Sequence, residues 1–274
     1  MTIHRTPGKD PIMATPLVPD RETTTCTTTA APAARSRLRR LTRVAGILYL
    51  AIFVLYPLSA AVRSTLVVPG DAAGTARNIA ASESLFRWGM VGEATVVLVE
   101  IALAGVLYAL MRPVSRSVSL AAALARAGEG VVMAAGNLLT SIMTLVLVGG
   151  AGYLTALSTE QRDALALAFQ EADSSLVLVW GLLFGLHLVL LGWLVYQSGY
   201  LPRLVGGLLA LAGFGYLAQS LGTLVAPELA GVLSTVVLVL AVPGELAFSG
   251  WLLVRGVDAD AWQRRALAAR ECEL

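Results

Sequence analysis

Charge is what this chain has least of. Only 14% of its 274 residues are Asp, Glu, Lys or Arg while 57% are hydrophobic, and the mean hydropathy is +0.74. A soluble domain carries about 25% charged residues, so the shortage excludes a water-soluble globular protein and makes this a membrane protein. Lysine is nearly missing: Lys9 stands alone among arginines, a usage associated with GC-rich bacterial genomes. The net charge is +2, with no interleaved aromatic and basic residues, so nucleic acid is excluded as a partner. The two cysteines, Cys26 in a polar stretch and Cys272 near the C-terminus, lack the spacing of a disulfide framework or a metal site and are expected as free thiols. His187 has no second His or Cys at its depth, which leaves no metal expected. There is no nucleophile with a base, no HExxH and no paired-aspartate motif at helical spacing, so no catalytic residue and no cofactor are expected. Strand alternation is also absent. Because only helices or closed barrels satisfy the backbone in lipid, the fold class is all-α.

What is present is six apolar segments, each near the roughly 20 residues needed to cross the hydrocarbon core. They run over residues 44–68, 88–111, 117–150, 175–197, 203–225 and 231–254, the third overlong. Three parts are expected: a disordered Thr-, Pro- and Ala-rich tail over 1–42, a six-helix transmembrane domain over 43–257, and a polar tail over 258–274 that reads as a solvated helix. The arginines set the orientation. Arg35, Arg37, Arg39, Arg40 and Arg43 precede the first helix, Arg112 and Arg116 fill the turn after the second, Arg203 follows the fourth, and Arg255, Arg264, Arg265 and Arg270 follow the sixth. Cytoplasmic flanks carry this excess, so both termini are expected in the cytoplasm and the chain in the cell membrane. The other side holds the loop from Pro69 to Arg87 and an acidic loop with Glu160, Asp163, Glu171 and Asp173. The turns in "VLYALMRPVSRSVSLAAALA" and "WLVYQSGYLPRLVGGLLALA" echo one another, a weak sign of duplication. "GGLLALAGFG" from Gly206 reads as a surface for close helix contact, within the chain or in a homo-oligomer, beside membrane lipid as the standing partner.

In order along the chain, "RVAGILYL", "FRWGMVGE", "LYALMRPV", "LARAGE", "VYQSGYLPRLVGGLLALAGFGYL" and "PGELAFSGWLLVRGV" resemble the bacterial membrane-protein family called domain of unknown function 4386, from about Arg43 to Val257. The resemblance implies a polytopic membrane protein of one domain. It brings no assigned activity and no functional residues.

Ionisable residues within the spans cost about 2.5 to 3.5 kcal/mol each at a helix centre and face the bundle interior or a wet cavity. Counted from the cytoplasmic ends, Glu100, Arg126, Glu129, His187 and Glu245 all fall roughly 14 to 18 Å deep at 1.5 Å per residue, which predicts one polar cluster at the midplane. Arg126 and Glu129, three apart, can pair on one face, and Glu93 lies two turns outward of Glu100. Three carboxylates facing one arginine leave an excess of negative charge that calls for a proton, a cation or a basic ligand. In "AVPGELAF", Pro243 removes an amide hydrogen and Gly244 a side chain just before Glu245, which predicts a helix break there. Two functions fit: a small-solute or ion transporter, proton-linked in one version, with the ligand unnamed, or a non-transporting scaffold or sensor whose buried charges are structural.

Overall fold

The computed structural model describes residues 32–271. Those residues form helices and turns without a strand, and six helices are long and apolar enough to cross a membrane. The spans are α1 (Pro32–Leu66), α3 (Glu83–Met111), a composite third span, α6 (Thr159–Ser198), α7 (Arg203–Val225) and α8 (Ala230–Val254). The third span consists of α4 (Arg116–Met133), a π-helical segment at Ala134–Leu139 and α5 (Thr140–Val148). Among the described residues there are also two short α-helices, α2 (Ala72–Ala81) and α9 (Ala259–Glu271), and two 3-10 turns, Gly152–Leu154 and Pro227–Leu229.

Four boundaries differ from the sequence reading. Helix α1 already covers residues 32–42, expected in the disordered tail, because the Ala- and Arg-rich run there is a strong helix former. The remainder of the expected tail, with Cys26, lies outside the described residues, as does Cys272. The acidic stretch expected as a loop is the first third of α6, opened by a capping box in which Ser158 accepts from the Gln161 amide and Gln161 accepts from the Ser158 amide. With 40 residues, α6 is about 60 Å long at 1.5 Å per residue, so one end rises well out of the bilayer. Around that end gather α2, whose cap Asp71 accepts from the Gly74 amide at 2.7 Å, and α5. The Pro69–Arg87 loop is thus largely helical. Finally, α9 is not a free tail. Arg35 donates two hydrogen bonds to Asp260, at 2.9 and 3.0 Å, and the Trp262 indole donates to the Leu110 carbonyl at 2.9 Å, tying α9 to α1 and to the end of α3.

The tightest helix pair is α6 with α7. A Cβ placed on Gly192 would lie 2.6 Å from the Gly206 carbonyl, and one on Gly213 would lie 2.6 Å from the Gly185 carbonyl. These two crossings, seven residues apart on each helix, hold the backbones in contact, so the Gly-rich run from Gly206 makes its close contact within the chain. Elsewhere the bundle is open to lipid: Val54, Leu98, Leu124, Val131 and Val239 are each more than 60% exposed. In water such a surface would aggregate, and in a bilayer it is the solvated face.

Candidate polar centre of the bundle

Of the five residues predicted at one depth, Arg126, Glu100 and Glu129 come into contact, while among the described contacts His187 and Glu245 bond to other groups. Arg126 is 1% exposed, and its Nη2 lies 2.7 Å from a Glu100 oxygen, while its Nη1 lies 3.8 Å from Glu129 and donates to the Tyr49 hydroxyl at 3.4 Å. The nearest carboxylate is therefore Glu100, on the adjacent helix α3, and the i,i+3 neighbour Glu129 is second. The guanidinium also rests over the rings of Tyr49, at 4.8 Å, and Phe184, at 5.5 Å, which offsets part of its lost hydration. His187 shares its Nδ1 hydrogen with the Ala122 carbonyl at 2.8 Å, and its Nε2 has no hydrogen-bond partner. Glu245 accepts from the Tyr216 hydroxyl at 3.3 Å and lies in the field of Arg126 without forming an ion pair with it among the described contacts. Glu129 is fully buried, and neither of its oxygens accepts a hydrogen bond.

Pro243 and Gly244 do not break α8, which runs continuously through them. The proline still leaves the Val239 carbonyl without its helical donor. Gly244 has a packing role: a Cβ there would lie 3.0 Å from the Leu208 carbonyl, so the small residue lets α8 approach α7 at the level of Glu245.

A second polar group lies toward the far end of the bundle from the arginine-rich turns. Arg63 of α1 pairs with both Glu93 of α3 and Asp173 of α6, and all three are withdrawn from the surface. Glu93 therefore belongs to a three-helix ion triad. Between the two groups sit Tyr56 and Trp180, stacked at 6.3 Å, and Trp180 in turn stacks on Phe184 at 4.9 Å. Sequence spacing explains this layering. Tyr49, Tyr56 and Arg63 recur every seven residues, as do Asp173, Trp180 and His187, with Glu93 and Glu100 matching them on α3. Seven residues are two helical turns, so each set stays on one face and its members stand about 10 Å apart along the bundle. Projecting α1 and α6 onto that period would have exposed Tyr49, Arg63 and Asp173, which depth counting alone missed. The π-helical segment lies on the third span beside the Arg63 triad. There Gly136 admits Asp173, since a Cβ would lie 3.1 Å from its Oδ1, and the Thr140 hydroxyl donates to the Gly136 carbonyl. Single π-helical turns inside α-helices are frequent at functional sites.

The chemistry available is that of a packed, low-dielectric cluster: three carboxylates, one arginine, one histidine and two phenols, separated by aromatic rings from a second ionic group. No solved structure matches the chain. Among sequences, it is 28% identical over 169 residues, covering 62% of this chain and 84% of the other, to an uncharacterized protein of Archaeoglobus fulgidus. Residues 44–256, nearly the whole bundle just described, match the family "Domain of unknown function (DUF4386)", and the chain belongs to that family.

Proposed function

We propose that this integral membrane protein is a small-solute or ion transporter, proton-linked, with its binding station at the midplane cluster. The observation that carries the reading is that two buried carboxylates, Glu100 and Glu129, share Arg126 as the one cation paired with them among the described residues, which leaves one negative charge in excess. A buried carboxylate in that position costs several kcal/mol unless a positive partner joins it. A proton or a small cation arriving with solute supplies that partner. The seven-residue stacking of Tyr56 and Trp180 between the midplane and the Arg63 triad supports a route along the same helix faces, closed in this conformation by the two rings. The membrane proposed is the cytoplasmic membrane, on the arginine bias.

The scaffold reading is favoured by one feature, the close enclosure of Arg126 by Glu100, Tyr49 and Phe184. Purified protein in proteoliposomes separates the two. Under an imposed proton gradient the wild type should carry flux of protons, alkali cations or a screened set of small solutes. Glu129→Gln and Glu245→Gln should lose that flux while melting near the wild-type temperature, because Gln keeps the shape and most of the hydrogen bonding. Wild type without flux under any gradient, or both Gln variants transporting normally, would leave the charges as structural glue.

A further inference from the structure

At the arginine-rich end of the bundle a cavity of about 430 Å³ opens beneath α9. Its floor is the turn between α3 and α4, its wall is the start of α1, and its roof is one face of α9. Arg112, Arg116 and Arg270 line it, and no Asp or Glu does among the described residues. Leu38, Trp262 and Leu267 supply the apolar part. We propose that this cavity binds a phosphate-bearing anion, with the headgroup of an anionic phospholipid as its source.

Three observations converge on that ligand. The first is charge: arginines from α3's end, α4's start and α9 face one space, and guanidinium groups offer paired donors matched to phosphate oxygens. The second is construction, because the roof is fixed. The Arg35–Asp260 ion pair and the Trp262–Leu110 hydrogen bond clamp α9, and Asp258 caps it by accepting from the amides of Asp260 and Ala261, each at 3.0 Å. These contacts place α9 over a cavity of a size suited to a glycerophosphate group. The third is level. Tyr108 and Trp262, residues that favour the membrane interface, border the cavity at the end of the spans, so its apolar lining meets the acyl region while its arginines meet headgroups. The site is independent of the transport reading.

Native mass spectrometry of the purified full chain in detergent tests it, with phosphatidylglycerol and phosphatidylcholine of identical acyl chains offered separately and inorganic phosphate as competitor. Phosphatidylglycerol should be retained about tenfold over phosphatidylcholine, and Arg112→Gln/Arg270→Gln should abolish the preference. Arg37→Gln/Arg40→Gln, which removes equal charge from residues that do not line the cavity, should keep it. If millimolar phosphate displaces the lipid, the site takes the phosphate group itself and a soluble phosphate is the source; if the lipid stays, its acyl-linked headgroup is. Equal retention of the two lipids, or a preference that survives in the Arg112/Arg270 variant or is lost equally in the Arg37/Arg40 variant, would overturn the proposal.

Discussion

Arg126 heads the largest side chains that are fully buried, an unusual place for a guanidinium in a bundle this apolar. Its environment divides the work among groups of different chemistry: an ion pair to Glu100, a phenol acceptor in Tyr49 and two ring faces. Removing one member of a buried pair leaves the other uncompensated, at about 3 to 5 kcal/mol, whereas removing both is far milder. Arg126→Leu should therefore lower the thermal stability of the purified protein sharply, and Arg126→Leu/Glu100→Leu should recover much of the loss. The same double change with Glu129 should recover less, because Glu129 lies at 3.8 Å and Glu100 at 2.7 Å. Losses that simply add for Arg126 and Glu100 would show that the pair contributes no coupling.

Among the helices, the sequence was most legible where one physical rule dominated. Bilayer thickness sets the length of apolar runs, so the six spans follow from hydropathy, and the cost of intramembrane charge is why Arg126 turns inward to Glu100 and Glu129. Hydropathy does not reveal where a helix continues past the lipid. For that reason the acidic start of α6 read as a loop, although its Ser158–Gln161 capping box is visible in the sequence. Nor does residue count show which of two carboxylates an arginine will choose, since that depends on how α3 and α4 are rotated against each other. The α6–α7 pair makes a test at this scale. Gly192→Val and Gly213→Val each force a side chain against backbone atoms less than 3 Å away, so the helices must separate. Overpacking of this kind costs about 1 to 3 kcal/mol, read as a lower melting temperature. Gly207→Val, at a glycine with nothing within 4 Å of its Cβ position, should change it little.

For the whole molecule, the deciding feature is the inequality of its two ends. One end holds the start of α1, the α3–α4 and α6–α7 turns and α9, with Arg35, Arg37, Arg39, Arg40, Arg43, Arg112, Arg116, Arg203, Arg255, Arg264, Arg265 and Arg270. The other carries Arg77, Arg87 and Arg162 among acidic residues such as Asp71, Glu83, Glu160 and Asp163. Insertion retains arginine-rich flanks in the cytoplasm, so α9 and its cavity should face inward and the long end of α6 outward. The consequence for function is direct. The Arg63 triad would then be the outer layer and the midplane cluster the inner one, which fixes the direction in which a gradient must be applied in a flux assay. Impermeant maleimide labelling of intact cells checks the assignment in a background where both native cysteines are serine. Tyr153→Cys, at a position 76% exposed beyond α5, should label from outside, and Leu267→Cys on α9, at a position 40% exposed, should label only after the membrane is opened. The opposite pattern would invert the molecule, move the arginine cavity to the outer leaflet and reverse the order of the two ionic layers along any route for a solute.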